Sequence, residues 1–326
     1  MKPLFIAKLI KPSTRAFFTE QASKDCRLSS RVHGYIYARW PYLYIGIGTG
    51  RHPLASILKS LWKIIVHGPG AKPRRSTSQA KINFAQEYHG KALPLNEARK
   101  LVKVSKSINL GDLEQVIPYT KARDLVLKNP DHIVALECPC RATSPDPCLP
   151  LDVCLIIGEP FASFIAEHHP RKSRRISQAE ATAILEQEHD RGHVHHAFFK
   201  EAMLGRFYAI CNCCSCCCGA IQAHQKGVPM LASSGFTARV QGDECVACRE
   251  CVRSCQFRAI SLTGHGPVVN TELCMGCGVC TAKCVNQCLS LVRNTGKCPP
   301  LELTRLIEGQ KNRSCSVTID NQIQRP

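Results

Sequence analysis

Two cysteine runs in the last third of this 326-residue chain restrict its folding more than any other feature. The first reads Cys245-Val-Ala-Cys248-Arg-Glu-Cys251-Val-Arg-Ser-Cys255, the second Cys274-Met-Gly-Cys277-Gly-Val-Cys280-Thr-Ala-Lys-Cys284. Both have the spacing C-x2-C-x2-C-x3-C. A loop of this kind bends three thiolates toward one iron–sulfur cubane, while the fourth points away and serves the cubane of the other run. The spacing therefore assigns Cys245, Cys248, Cys251 and Cys284 to one [4Fe–4S] cluster, and Cys274, Cys277, Cys280 and Cys255 to a second. Zinc is the competing reading, since C-x2-C pairs also build zinc sites. Four ligands per zinc do not account for a threefold run that occurs twice.

The runs also belong to an internal repeat. Cys255-Gln-Phe-Arg-Ala-Ile-Ser-Leu262 aligns with Cys284-Val-Asn-Gln-Cys-Leu-Ser-Leu291, so a short helical turn and a strand are expected after each run. Over residues 240–295 the chain resembles the bacterial dicluster ferredoxin domain. That resemblance implies an α+β module with pseudo-twofold symmetry that passes single electrons at low potential. One departure stands out: the family has proline after the fourth cysteine of each run, and this chain has Gln256 and Val285. Both retain a backbone N–H, and an N–H near a cluster sulfur stabilises the reduced state, so higher potentials are expected. Cys288 aligns with Ala259 and reads as a small buried residue.

The length allows two or three domains. Twenty-two cysteines would suggest a disulfide scaffold in a short secreted chain, but this one is long and begins with no secretory signal pattern. Thiols that ligate iron need a reducing compartment, which places the protein in the cytoplasm, in anaerobic metabolism. No run of eighteen apolar residues is available to span a bilayer. The formal charge is +18, falling to about +14 once two oxidised clusters with their thiolates are counted.

Much of that charge lies in residues 1–90, read as a separate basic segment with Cys26 as its one thiol and few acids, namely Glu20, Asp25 and Glu87. Tyr35-Ile-Tyr-Ala-Arg-Trp-Pro-Tyr-Leu-Tyr44 concentrates ring side chains. Over residues 53–66, Leu54, Ile57, Leu58, Leu61, Ile64 and Ile65 fall on one helical stripe, with Lys59 and Lys63 opposite and Trp62 at the boundary. Such a helix suits peripheral attachment to the inner membrane face, or docking on the cysteine-rich core. Nucleic-acid binding by rings and cations is less favoured, because no recognised motif accompanies them. Gly46-Ile-Gly-Thr-Gly50 lacks a phosphate-loop frame and reads as a turn, and residues 68–80 as a connector.

Residues 91–236 read as an α/β cysteine-rich domain. Asn96 is expected to cap a helix to about Ser105, and Thr120 to Lys128 to form another, stopped by Asn129-Pro130. Ile133–Leu136 reads as a buried strand delivering Cys138-Pro-Cys140-Arg. Ser177-Gln-Ala-Glu180 is a capping box, with Ile176 and Ala181 as a hydrophobic staple, on a helix ending before Gly192. Strands follow over 193–199 and 206–210, and the second leads into Cys211-Asn-Cys213-Cys214-Ser-Cys216-Cys217-Cys218. With Cys138, Cys140, Cys148 and Cys154 these make ten thiols, enough for at least one further iron–sulfur cluster, for two, or for a larger one. If alternate residues of an extended chain share a face, Cys211, Cys213, Cys216 and Cys218 are the better ligands, and Cys214 and Cys217 the poorer. His193 and His195 could face one metal but read more readily as polar partners in a sheet. Asp152 and Glu159 are expected to pair with arginines.

Residues 133–218 resemble a cysteine-rich module found upstream of dicluster ferredoxin domains in anaerobe iron–sulfur proteins. The resemblance implies architecture, not an activity. Cys217-Cys218-Gly219 is also similar to the CCG domain of heterodisulfide reductases, but the C-x-x-C partner which that pattern needs is missing, Cys245 and Cys248 being committed elsewhere. Residues 296–326 read as a polar tail whose Cys298 and Cys315 are free.

The expected fold class is thus α+β: a ferredoxin-like dicluster module at 237–295, appended to an α/β cysteine-rich domain and a basic helical segment. The expected function is one-electron transfer with a flavoprotein or an iron–sulfur oxidoreductase as partner. Two alternatives are an oxidoreductase with a substrate-binding cluster in the middle domain, and a redox-sensing regulator that grips nucleic acid.

Overall fold

The computed structural model describes residues 10–23, 27–57, 77–111, 113–241 and 244–308. Its elements, in chain order, are α1 (Pro12–Ser23), α2 (Leu28–Arg39), α3 (Pro41–Thr49), α4 (Ser78–Glu87), β1 (Tyr88–Leu93), α5 (Leu95–Val102), β2 (Ile108–Leu110), β3 (Leu125–Leu136), α6 (Pro139–Ala142), β4 (Cys154–Glu159), α7 (Phe161–His168), β5 (Ser173–Ile176), α8 (Gln178–Asp190), β6 (Val194–Lys200), β7 (Arg206–Cys213), α9 (Gly219–Gln225), β8 (Leu231–Ala232), β9 (Phe236–Val240), α10 (Glu250–Ser254), β10 (Ile260–Thr263), β11 (Gly266–Val269), α11 (Val279–Lys283) and β12 (Leu289–Arg293).

A mixed eight-stranded sheet runs in the order β2-β3-β4-β7-β6-β1-β8, with β5 paired to β3 off that path. Its central strands explain its position. β6 is buried at every residue and β4 and β7 at all but one, so both faces are covered and no polar-out alternation is required. Helices α1 and α2 pack on α7, which lies on β3 and β4, while α5 packs against α8. The main apolar core extends from Phe17 in α1, through Leu155, Phe199 and Ile210 in the sheet, to Phe257 and Leu301. A smaller core, Ala238, Ala259, Ile260 and Leu289 with Cys251, Cys274 and Cys280, belongs to the cysteine repeat. There β9 pairs with β12 and β10 with β11, bracketing both runs.

Several local expectations need correction. Residues 120–128 hold no helix: Leu125 and Leu127 are buried on either side of the less buried Val126, and β3 begins there against β2. Period two wins over the helical reading. Asn129-Pro130 does not end an element but lies at a bulge, where Asn129 has φ +45° and the β3–β4 register shifts between Lys128 and Ile133. Helix α5 starts at Leu95 with Pro94 as its cap, and the Asn96 side chain turns to Glu97. Ser177 caps α8 by accepting from the Glu180 N–H at 3.1 Å, but the Glu180 carboxylate pairs with Arg174 rather than closing the box. Gly46 and Gly48 lie inside α3, and of that glycine trio only Gly50 turns the chain, as a left-handed cap with φ +79°. Helix α4 starts at Ser78, within the segment read as a connector.

The amphipathic stripe of residues 53–66 falls mostly outside the described residues; within them Leu54 and Ile57 are exposed and Ala55 is buried. Cys26 and Cys315 lie outside them as well. The segment read as a tail packs inward at Leu301 and Leu303, and the Lys91 ammonium donates to Cys298 Sγ at 3.1 Å. Among the described residues no helix is long and apolar enough to cross a membrane.

Candidate metal centres

The backbone of the cysteine repeat is repeated, and not its sequence alone. Left-handed φ occurs at Ala247 (+56°) and Gly276 (+64°), at Arg249 (+64°) and Gly278 (+83°), and at Arg258 and Gln287 (both +53°). These are matching positions of the two runs. At Gly276 a Cβ would stand 2.2 Å from the Phe236 carbonyl oxygen, so that loop of the second run admits only glycine. After each run one N–H is seated on the fourth sulfur: Ala259 N to Cys255 Sγ and Cys288 N to Cys284 Sγ, both at 3.2 Å. These donors stand four residues past the cysteine, beyond the positions where Gln256 and Val285 replace proline. Ala259 and Cys288 are both buried.

The thiols gather crosswise. Cys251 has Cys284, Cys245 and Cys248 as its neighbouring thiols. Cys277 has Cys255 and Cys274, and a small cavity is lined by Cys255, Cys274, Cys277 and Cys280 together. Burial, with the neighbouring thiols adding to it, raises Cys251 and Cys280 and pushes Cys277 up to about 12. Without a cation such thiols keep their protons; a bound metal reverses this and releases them.

The ten thiols of the middle domain resolve into two sets. Side-chain contacts link Cys211 to Cys154, Cys154 to Cys138, Cys138 to Cys140, Cys140 to Cys218 and Cys218 to Cys213. Cys154, Cys211 and Cys213 lie in the end residues of β4 and β7, Cys138 and Cys140 at the start of α6 just past β3, and Cys218 at the cap of α9. The other four, Cys148, Cys214, Cys216 and Cys217, have sulfurs within 4.8 Å of one another and can hold a metal ion. This grouping differs from the one that alternation along an extended chain gives. Strand β7 ends at Cys213 and residues 215–217 form a turn, so period two no longer applies. Cys214 and Cys217 join Cys148 and Cys216, while Cys211, Cys213 and Cys218 go to the other set. Within the four, burial raises Cys214, whereas Cys217 is held below the usual thiol value by the Cys148 backbone and the Ser144 hydroxyl, against its own burial.

Side chains that ligand reasoning overlooked brace these loops. Arg141, the residue after Cys140, is almost fully buried and ion-pairs with the equally buried Glu188 of α8. It also donates to the carbonyls of Pro150 (2.6 Å) and Asn212 (3.2 Å). His193 Nδ1 lies 2.7 Å from Glu188. Burial would raise the Glu188 carboxyl, but His193 and Arg141 hold it below its ordinary value. Asn212 lies between two site cysteines, accepts from His195 at 2.6 Å and donates to the Val153 carbonyl at 2.7 Å. His193 and His195 thus serve as polar partners. Asp152 pairs with Arg174 as expected, whereas Glu159 pairs with His132. The clue to Arg141 was present in Cys-Pro-Cys-Arg, but its partner stands 47 residues away.

The six-thiol set borders a cavity of about 450 Å³, whose other walls include Tyr37, Tyr44, Tyr88, Phe198 and Lys200. Tyr37 and Tyr208 share a 2.8 Å hydroxyl contact, and Tyr88 joins them. Burial raises all three phenols and pushes Lys200 down to about 8. The aromatic stretch from Tyr35 to Tyr44 therefore turns largely onto the thiol-bearing domain.

No family model matches the chain, and no curated protein matches it. What the geometry provides is a metal-capable four-thiol group, a larger thiol group beside a cavity, and a repeated module in which two cysteine runs exchange their fourth members.

Proposed function

We propose that this chain is an iron–sulfur protein that takes up and passes on single electrons. The carrying observation is the crosswise gathering of Cys284 with the first run and Cys255 with the second, inside a module whose left-handed positions recur in three matched pairs. Eight thiols so grouped, each set with an N–H directed at a sulfur, fit two [4Fe–4S] clusters, which when bound supply one-electron redox chemistry. The protein's own part is to bury the sulfurs, direct N–H dipoles at them and hold the centres near one another.

The middle domain would extend the path. Its six-thiol set suits a further cluster. The tighter four-thiol set suits one tetrahedral ion, whose sulfurs, at about 2.3 Å from the metal, would lie about 3.8 Å apart. Gln256 joins the two regions: Ser215 N donates to its Oε1 at 2.7 Å, and its Nε2 donates to the Gly192 carbonyl at 2.8 Å. A basic surface would steer an acidic redox partner, a flavoprotein or an iron–sulfur oxidoreductase, in a salt-dependent way.

Anaerobic purification with iron, sulfide and zinc counts and EPR tests this reading. About eight irons with sulfide to match would mean the repeat alone is loaded, and about twelve or more would mean the middle thiols are too. Protein that is iron-free and holds only zinc overturns the electron-transfer reading.

A further inference from the structure

The cavity beside the six thiols contains a group that electron transfer does not use. Lys200 is 3 % exposed, and its ammonium stands over the rings of Tyr88 (4.5 Å), Tyr37 (4.6 Å) and Tyr44 (5.5 Å), all of which line the cavity with it. Among the described residues no carboxylate or other hydrogen-bond acceptor is paired with it. The acids near it, Glu87 and Glu201, are engaged by Lys121 at 3.4 and 3.1 Å and are themselves well exposed. Ring faces attract a cation but accept no hydrogen bond of ordinary strength, so a buried ammonium held by them alone retains unused donor capacity. Burying a cation in that state is costly unless an anion completes it.

We propose that this cavity binds a small organic acid, with its apolar or aromatic body against the tyrosine and phenylalanine rings and its carboxylate on Lys200. The volume, about 450 Å³, lies in the range of small-molecule sites, which are mostly apolar with a few polar groups that set orientation. Lys200 is that polar group. A bound acid would then lie at the Lys200 side of the cavity, in the space that a cluster on the six thiols leaves free.

The test is calorimetric titration of the anaerobically purified full chain with phenylacetate and, as its uncharged counterpart, phenylacetamide. Phenylacetate is expected to saturate one site and to bind at least tenfold more tightly than the amide. Lys200→Met should abolish that preference at unchanged metal content. Gly48→Leu supplies a second arm that leaves Lys200 in place. Gly48 is an exposed residue of the cavity lining where an added Cβ meets nothing within 4 Å, and the larger side chain should weaken both compounds at unchanged melting temperature. No saturable binding of phenylacetate, or an acid preference that survives Lys200→Met, overturns the proposal. So does a Lys200→Met variant with an altered metal spectrum from a parent that binds neither compound, which would make Lys200 a partner of the metal centre instead. Metal counts on the same samples read the electron-transfer proposal separately.

Discussion

The cysteine repeat and the middle domain solve one problem, the collection of thiols, by opposite means. In the repeat, three of the four members of each set lie within seven residues, and left-handed residues at fixed places turn them inward. In the middle domain the six-thiol set is drawn from β4, β7 and the helices α6 and α9 that follow β3 and β7, brought together because the sheet runs β3-β4-β7. The first kind of site is carried by local backbone geometry, and the second exists only while the sheet and its braces hold. The two should therefore fail separately.

The strongest way to break this contrast is Arg141→Met. It takes from the buried Glu188 its buried partner and leaves it only Arg191 and His193, at a cost of about 3 kcal/mol. Middle-domain metal should be lost while the repeat keeps its iron, as read by metal analysis and thermal denaturation. Retention of both at parental stability would show that the brace is dispensable.

Acid should separate the regions next. His89, on β1, is fully buried and stacked on Tyr119, and burial lowers its pKa to about 4. The unfolded chain takes up its proton near pH 6.5 and the folded chain only near 4, so stability falls as pH drops through that window, by on the order of 3 kcal/mol. Denaturation followed against pH should show this limb, and His89→Phe should flatten it.

Gln256→Ala removes the hydrogen bonds that dock the repeat on the middle domain and should cost about 1–3 kcal/mol. Val285→Ala, at the matching position of the second half, should be nearly silent because Val285 is 86 % exposed. Equal effects in denaturation would mean that the docking contact carries no weight. The smallest effect is expected at Arg249, a left-handed residue where the second half has Gly278. Arg249→Gly should raise stability by about 0.5–1 kcal/mol, because strain relief exceeds the added freedom of the unfolded chain, and unfolding midpoints of the full chain measure it.

The residues themselves show where sequence reading succeeds. The repeat of the two runs was legible because x2-x2-x3 spacing and the left-handed positions that go with it lie within a few residues of chain. The strands leading to Cys138 and Cys213 were legible as apolar runs, and α8 as a capped helix. The grouping of Cys214 and Cys217 with Cys148 and Cys216 was not legible, because strand alternation stops at Cys213, where the chain turns. The 120–128 error has a similar origin: Leu125 and Leu127 declare themselves as strand only once β2 is present to pair with them.

From the linear order of residues alone came the repeat and the presence of a second cysteine-rich region. The tertiary structure alone decided that ten thiols divide into six and four, that Arg141 and Glu188 meet between the loops, and that Tyr37 and Tyr44 close a cavity over Lys200. The division follows from range: a few residues of backbone specify how a short loop points its sulfurs, but groups dozens of residues apart meet only where strand order and helix packing bring them.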